Sequence, residues 1–395
     1  MTDFLPDQDV ATFAGEVRDF LADNLTAEMR RTMHDTGTVH VPQLHRDMAS
    51  HGWMATATAG AKGAPVSHAM AALFRELELA DAPYHGMSIT MIVIGVVDQL
   101  GSDELKARVI PQLLAGETIA VLGYSEPGSG SDVFAARTRA VPVDEEHTAW
   151  RINGQKMWTT LAQEAGHVLL LTRTDTERPK HLGLTMFLVP LDTPGITIQP
   201  IYTIADERTN VVFYDDVEIP DYCRLGEINE GGRVMAAALS VERGVMGGTA
   251  MIEPLVKHTA QWANTPGSDG ARPSDDPVVL EALARARIDA EVAFLLTQRT
   301  AELGASGQSP ATAGSIAKHF ATMAYQRAAH EFQEVAGVAG VLRHDAHGGL
   351  APVAHGEVER AVRHSAVTTI QGGTTEIQRN HIAQHRLGLP RTKQA

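Results

Sequence analysis

Apolar positions along the first 118 residues recur at helical spacing. The stretch DVATFAGEVRDFLADNL (9–25) does so, AMAALFRELELA (69–80) repeats it, and DELKARVIPQLLAGE (103–117) opens at Asp103, a candidate N-cap, and closes at Gly116. From 119 the texture changes to short β-branched and aromatic runs separated by Pro, Gly and Asp clusters. These are TIAVLGYSE, AWRINGQKMWTT, HVLLLTRT, LTMFLVPL, ITIQPI and NVVFYDDVEI, and they predict strands. After GEINEGG the helical period returns over 231–262, 277–304, 309–340 and 355–386, with a loop at NTPGSDGARPSDDP (264–277). The pattern predicts an α+β multidomain chain: an N-terminal helical domain (1–118), a central antiparallel β domain (119–228) and a C-terminal four-helix bundle (229–395). Helices, then strands, then helices is not the order of a single α/β sheet.

Composition narrows the function classes. The chain has 395 residues, 44% of them hydrophobic, enough for two or three domains with their own cores. With 33 Lys+Arg against 48 Asp+Glu the formal charge is −15, and no basic run interrupts it, which argues against nucleic acid or an anionic membrane as partner. Cys223 is the only cysteine, so no intramolecular disulfide forms. The amino terminus MTDFLPDQDV is acidic where a secretory signal is basic and then apolar; both features fit a reducing cytoplasm. No apolar run is long enough to span a bilayer.

Three glycine-rich stretches carry candidate chemistry. GYSEPGSGSD (123–132) follows an apolar strand, and its successive backbone N–H groups and Ser hydroxyls suit a phosphate or a ring carbonyl, although a plain surface turn has the same composition. INGQKMWTT (152–160) reads as a Gly turn entering a strand, with Trp158 either a flat wall for an aromatic cofactor or a core residue. TIQGGTTEIQRNHIAQHRLGLP (369–390) breaks a helical pattern at Gly372 and Gly373 and resumes it at Glu376. That exposes a helix N-terminus, or serves only as a helix–turn–helix joint. The histidines lack ligand spacing: HEFQE (330–334) has no second His, and His344, His347 and His355 lie scattered among glycines, so no metal site is expected.

A fourth stretch, LSVERGVMGG (239–248), sets a carboxylate among small apolar residues. At about 100° per residue, Met235, Leu239 and Met246 project within roughly 60° of Glu242, with Ala238 and Val245 flanking it and Arg233 and Ser240 opposite. A carboxylate on the face by which a helix buries itself is costly unless paired, protonated or used. Glu242 is thus either half of a Glu–Arg pair at a helix edge or a group with a task.

The three loops, in this order on an α–β–α chain, resemble the acyl-CoA dehydrogenase family over nearly the whole length. YSEPGSGSD is similar to the family's Y/L-x-E-P-x-A/S-G-S-D loop, GQKMWTT to its G-x-K-x-W-I-T strand, and GGTTEIQRNHIAQ to its E/G-G-T-x-E-I-Q-R helix. The resemblance implies FAD lying between the β domain and the C-terminal helices. Tyr124, Ser125, Gly130, Ser131, Trp158, Thr159 and Thr160 would face the flavin, Ser131 and Arg243 the substrate, and Thr374 and Glu376 the FAD of this or a neighbouring subunit. Family members carry the catalytic glutamate either just before the Gly-Thr of the last motif, here Gly372, or in a Glu-Arg pair on the first long C-terminal helix, here Glu242 and Arg243. The resemblance therefore implies Glu242 as the base that takes the pro-R α-proton, with the β-hydride passing to flavin N5 and a trans-2-enoyl-CoA as product. Burial would bring its pKa nearer the working pH.

The sequence departs from the family in two places. The R-x-Q-F segment that reaches a neighbour's FAD pyrophosphate is missing, with Arg272 the nearest substitute, and the Q-x-x-G-G-x-G segment survives only as QEVAGVAG, with Gln333 and Gly337. The ER helix and LGLP ending look most like actinobacterial enzymes acting on branched or steroid side-chain CoA thioesters, some of them mixed tetramers. An electron-transfer flavoprotein as acceptor and a dimer, tetramer or mixed tetramer as assembly are further implications. A flavin oxidase or monooxygenase on the same fold, or a subunit that does not turn over, are readings left open.

Overall fold

The computed structural model describes residues 8–57, 68–245, 251–267, 269–343 and 351–390. The first six helices are α1 (Gln8–Asn24), α2 (Ala27–Thr36), α3 (Pro42–Ser50), α4 (His68–Leu79), α5 (His85–Leu100) and α6 (Asp103–Leu114). Asp103 does not cap α6 as expected. The Ser102 hydroxyl accepts the Leu105 N–H at 3.1 Å, and Asp103 is instead the first helical residue, where its charge favours the positive end of the helix. Helix α5 is buried without a break from Gly86 to Val97, as a helix apolar on all sides must be.

The strands are β1 (Ala120–Gly123), β2 (Arg139–Pro142), β3 (Ala149–Met157), β4 (His167–Arg173), β5 (Leu184–Pro190), β6 (Ile196–Tyr202), β7 (Arg208–Pro220) and β8 (Arg224–Leu225). They form one sheet in the order β6-β7-β3-β2-β4-β5-β8, with β1 also paired to β4. The pairing is mainly antiparallel as expected, but β1 and β2 run parallel to β4. Strands β2 and β8 were not expected; at four and two residues they are too short to show a period. Gly154 does not turn the chain. It is a bulge within β3, where the register to β7 shifts, and a side chain there would meet Thr138 Cα at 2.7 Å.

After the sheet come α7 (Gly231–Val245), α8 (Ile252–Ala263), α9 (Pro277–Ala305), α10 (Ala311–Ala336), α11 (Glu357–Thr368) and α12 (Thr375–His385). The single helix expected over 231–262 is therefore two, with 246–250 outside the described residues. The one expected over 355–386 breaks at Gly372 and Gly373, whose φ values of 63° and 84° are left-handed. Met246, His344 and His347 lie outside the described residues.

The chain divides into two compact units, one of Met1–Leu21, Ala71–Ala82 and Met246–Ala395, the other of Ala22–Met70 and Pro83–Val245. The second holds the sheet, whose core gathers Trp150, Ile152, Val168, Leu170, Phe187 and Val212, and α7 packs there against α5 and β5. In the first unit, Ala286, Ala290 and Ala293 of α9 cluster with Ala321, Ala324 and Ala328 of α10, around Tyr325 and Phe332. Small residues let these helices approach closely. Arg285–Glu331 (3.3 Å) and Arg327–Asp289 (2.5 Å) set the antiparallel register of α9 and α10. No helix among the described residues is long and apolar enough to cross a membrane.

Candidate functional site

The 123–132 loop leaves β1 and folds back on itself at Pro127–Gly128, where Glu126 and Ser129 exchange backbone hydrogen bonds of 2.8 and 3.0 Å. Ser129 is buried and its hydroxyl donates to the Asp132 carbonyl at 3.0 Å, while Gly130 and Ser131 are exposed and Tyr124 and Ser125 half-buried. A Cβ placed on Gly128 or Gly130 would meet nothing within 4 Å. The chain does not need glycine there for its own packing, and the space beyond the loop is open to a group brought to it.

Beneath the loop lies an ion pair that the sequence reading passed over. Lys156 of β3 is wholly enclosed, and its ammonium donates to Glu126 at 2.7 Å and to the Tyr124 carbonyl at 3.1 Å. The same carboxylate accepts the Arg137 and Thr138 backbone N–H groups at 2.7 and 2.8 Å. Burial alone would raise the Glu126 pKa; the Lys156 charge and these hydrogen bonds outweigh it and hold the carboxyl below its usual range. Burial pushes Lys156 down to about 8 against the pull of Glu126. Glu126 sits inside GYSEPGSGSD and Lys156 inside INGQKMWTT, so the signal was present, but neither motif alone says that its charge belongs to the other. Met157 N–H, bonded to the Ser125 carbonyl at 2.9 Å, completes the join of loop to strand.

At the end of β3, Trp158 is 55% exposed and has a φ of 65°, left-handed backbone that a bulky residue adopts only under constraint. The strain is about 1–3 kcal/mol. The enclosed tryptophan of this sheet is instead Trp150, whose indole N–H donates to Asp221 at 2.6 Å. Thr159 is fully buried and its hydroxyl has no partner among the described residues. The half-buried Thr160 shares a hydrogen bond with the Thr209 hydroxyl at 3.2 Å.

Glu242 and Arg243 lie on α7, and their side chains are outside the described residues. On the preceding turns Met235 and Ala238 are buried and Arg233 is exposed.

In the helical unit the remaining candidates fall into two groups. Thr374 caps α12, accepting the Ile377 N–H at 3.3 Å, and Glu376 is exposed in the first turn, its carboxyl lowered by the backbone N–H and the neighbouring hydroxyls. The turn before them is held to the first half of α10 by Lys318, which donates to the Gly373 carbonyl at 2.6 Å. Gln333 and Gly337 lie at the other end of α10, where Gln333 donates to the Gly340 carbonyl at 3.3 Å and Gly337 has a φ of 59°. At 1.5 Å per residue the two groups are about 22–28 Å apart along the helix. The α9–α10 register puts the N-terminal end of α9, which the exposed Arg272 precedes, at the Gln333 end of α10. Among the described residues no group of three or more His, Cys, Asp or Glu is placed to hold a metal ion.

Residues 7–117, 121–217 and 229–387 match the N-terminal, middle and C-terminal domains of acyl-CoA dehydrogenase. The chain belongs to the acyl-CoA dehydrogenase family. It is 34% identical over 391 residues to acyl-CoA dehydrogenase FadE26 of Mycobacterium tuberculosis, covering 95% of this chain and 96% of that one. Its structure matches a chain of the ChsE4–ChsE5 complex from Mycobacterium tuberculosis with a TM-score of 0.85 and 32% identity, over 98% and 99% of the two chains. A protein described as the Tcur3481–Tcur3483 steroid ACAD matches with a TM-score of 0.88 and 26% identity, over 99% and 100%. FAD is the cofactor of this acyl-CoA dehydrogenase. The residues present fit it: the 123–132 loop offers exposed hydroxyls beside open space, and Trp158 offers an outward apolar wall.

Proposed function

We propose that this acyl-CoA dehydrogenase forms a trans-2-enoyl-CoA from an acyl-CoA thioester, with Glu242 as the base. The reading is carried by Gly372. At one of the family's two base positions this chain has a residue with no side chain, on left-handed backbone with a φ of 63°. At the other it has Glu242, one turn beyond the buried Ala238. The Glu242 carboxylate takes the α-proton, and Arg243 orients that carboxylate. FAD, when bound, supplies the acceptor for the hydride leaving the β-carbon. Ser131 holds the thioester arm, and the Trp158 indole keeps water from the flavin face; Tyr124, Ser125, Gly130, Thr159 and Thr160 line the same face. Thr374 and Glu376 serve one FAD, and Arg272, Gln333 and Gly337, at the far end of α10, reach toward that of a neighbouring subunit. The assembly is then a dimer or tetramer, homomeric or mixed, and electrons leave to an electron-transfer flavoprotein. A bulky acyl group, branched or a steroid side chain, is supported by the likeness to the steroid ACAD.

Glu242→Gln keeps shape and hydrogen bonding but removes the proton acceptor. FAD should bind as in the wild type, and flavin bleaching by a good acyl-CoA should slow by at least the roughly 10²–10⁴-fold typical of losing a general base. Bleaching at the wild-type rate refutes the assignment. The same bleaching assay over straight, branched and steroid side-chain thioesters tests the acyl class, with the bulky thioesters expected to react fastest.

A further inference from the structure

We propose that Asn210 is a positioning residue for the flavin, gripping Thr159 on both sides so that the Trp158 indole stays turned outward. This rests on the reading that Trp158 faces FAD. Strand β3 leaves the sheet after the pair Met157–Val211, and the next residue on β7 is Asn210. Its carbonyl accepts the Thr159 N–H at 3.0 Å, and its side-chain Nδ2 donates to the Thr159 carbonyl at 3.0 Å. A single residue thus holds both backbone polar groups of the residue that follows the strained tryptophan.

Only one orientation of the Asn210 amide works. Nδ2 also faces Gln163 Oε1 at 2.7 Å, while Oδ1 faces the Arg208 guanidinium at 3.3 and 3.2 Å. Reversed, the amide would set oxygen against two acceptors and nitrogen against a cation. Asn210 is wholly enclosed and paired to Pro200 on a regular ladder, so the grip comes from a rigid element. The turn it holds has two left-handed residues that are not glycine, Trp158 at 65° and Leu161 at 63°. Such conformations relax unless their surroundings over-determine them. Released, the backbone at 158 would return toward ordinary φ and swing the indole away from its present direction.

The test uses the purified full chain titrated with FAD. Asn210→Asp keeps the volume and the acceptor for Arg208. Gln163, whose Nε2 has no partner among the described residues, can turn its amide to donate to the new carboxylate. The bond to the Thr159 carbonyl is then lost, and a carboxylate oxygen opposes that carbonyl in its place. FAD affinity should fall by at least about tenfold, the release of the Thr159 carbonyl expressed through the cofactor, and the flavin absorption band should change shape. In a Trp158→Gly background, which has no indole and no strain at 158, the same substitution should change FAD affinity less than twofold. An equal loss in both backgrounds overturns the proposal, because a merely structural role would not depend on the indole. If Trp158→Gly alone weakens FAD and Asn210→Asp does not, the proposal falls and the Trp158 reading stands. If Trp158→Gly leaves FAD affinity and spectrum untouched, both fall. Asn210→Ser, carried through the same comparison, decides the matter if the Asp variant does not fold.

Discussion

Lys156→Met removes the charge that joins the 123–132 loop to β3 and leaves an unbranched side chain of similar length. The site is closed: the Lys156 and Glu126 side chains are 0% and 8% exposed. Without the ammonium, Glu126 keeps two acceptor contacts, to Arg137 N–H and Thr138 N–H at 2.7 and 2.8 Å, and loses its countercharge at 2.7 Å. The Tyr124 carbonyl loses its donor at 3.1 Å as well. Taking one partner from a buried pair typically costs about 3–5 kcal/mol, and the two remaining amides place this case toward the lower end. For a unit of this size the loss corresponds to a fall in melting temperature on the order of 10 °C. The measurement is urea and thermal unfolding of the apoprotein, followed by FAD titration, with Glu126→Gln and the double variant completing a cycle. Glu126→Gln fails for a different reason: with its amide oxygen kept on Lys156 and the Thr138 N–H, its NH2 is set against the Arg137 N–H. The cycle should return a coupling of about 2 kcal/mol or more between the two side chains. If Lys156→Met costs less than about 1 kcal/mol, or the two losses simply add, the pair does not clamp the loop to the strand and the reasoning is refuted.

Two further outcomes follow from buried polar side chains. Thr159→Val removes a fully enclosed hydroxyl that has no partner among the described residues, while the backbone bonds of residue 159 to Asn210 remain, so the fold should gain about 1 kcal/mol in urea unfolding; a comparable loss would mean that the hydroxyl is satisfied after all. His40 and His45 are buried 5.2 Å apart, and burial lowers them to about 4 and about 3, with Arg46 adding to the effect on both and His40 adding to that on His45. The unfolded chain takes up these protons near 6.5 and the fold does not, so stability should fall as pH drops below 6.5, by about 2 kcal/mol for each histidine at pH 5. His45→Leu should remove about 2 kcal/mol of the loss between pH 7 and pH 5, and an unchanged loss would count against His45 as a source.

What the sequence determined by itself was whatever repeats or closes within a few residues. The helical period of α1 and α4, the β-branched runs of β4 and β5, and the helix break at Gly372–Gly373 were legible because each is set by neighbours less than two turns away. The exposed Gly130 and Ser131 were legible for the same reason: a loop of small and hydroxyl residues carries its character locally. Glu242 was singled out by periodicity, and its choice over Gly372 came from the resemblance. The tertiary structure decided what depends on partners far along the chain. Trp158 and Trp150 lie in the same β-rich run, and only the φ of 65° at one and the Asp221 partner of the other separate surface from core. Glu126 meets Lys156 across 30 residues and Asn210 meets Thr159 across 51. Similarly, α7 packs with the sheet's unit, although its period matches that of the helices after it. Periodicity records which face of an element is buried, but not against what. That choice belongs to the packing of the whole unit, where an enclosed charge or amide is tolerable only if a distant residue arrives to satisfy it.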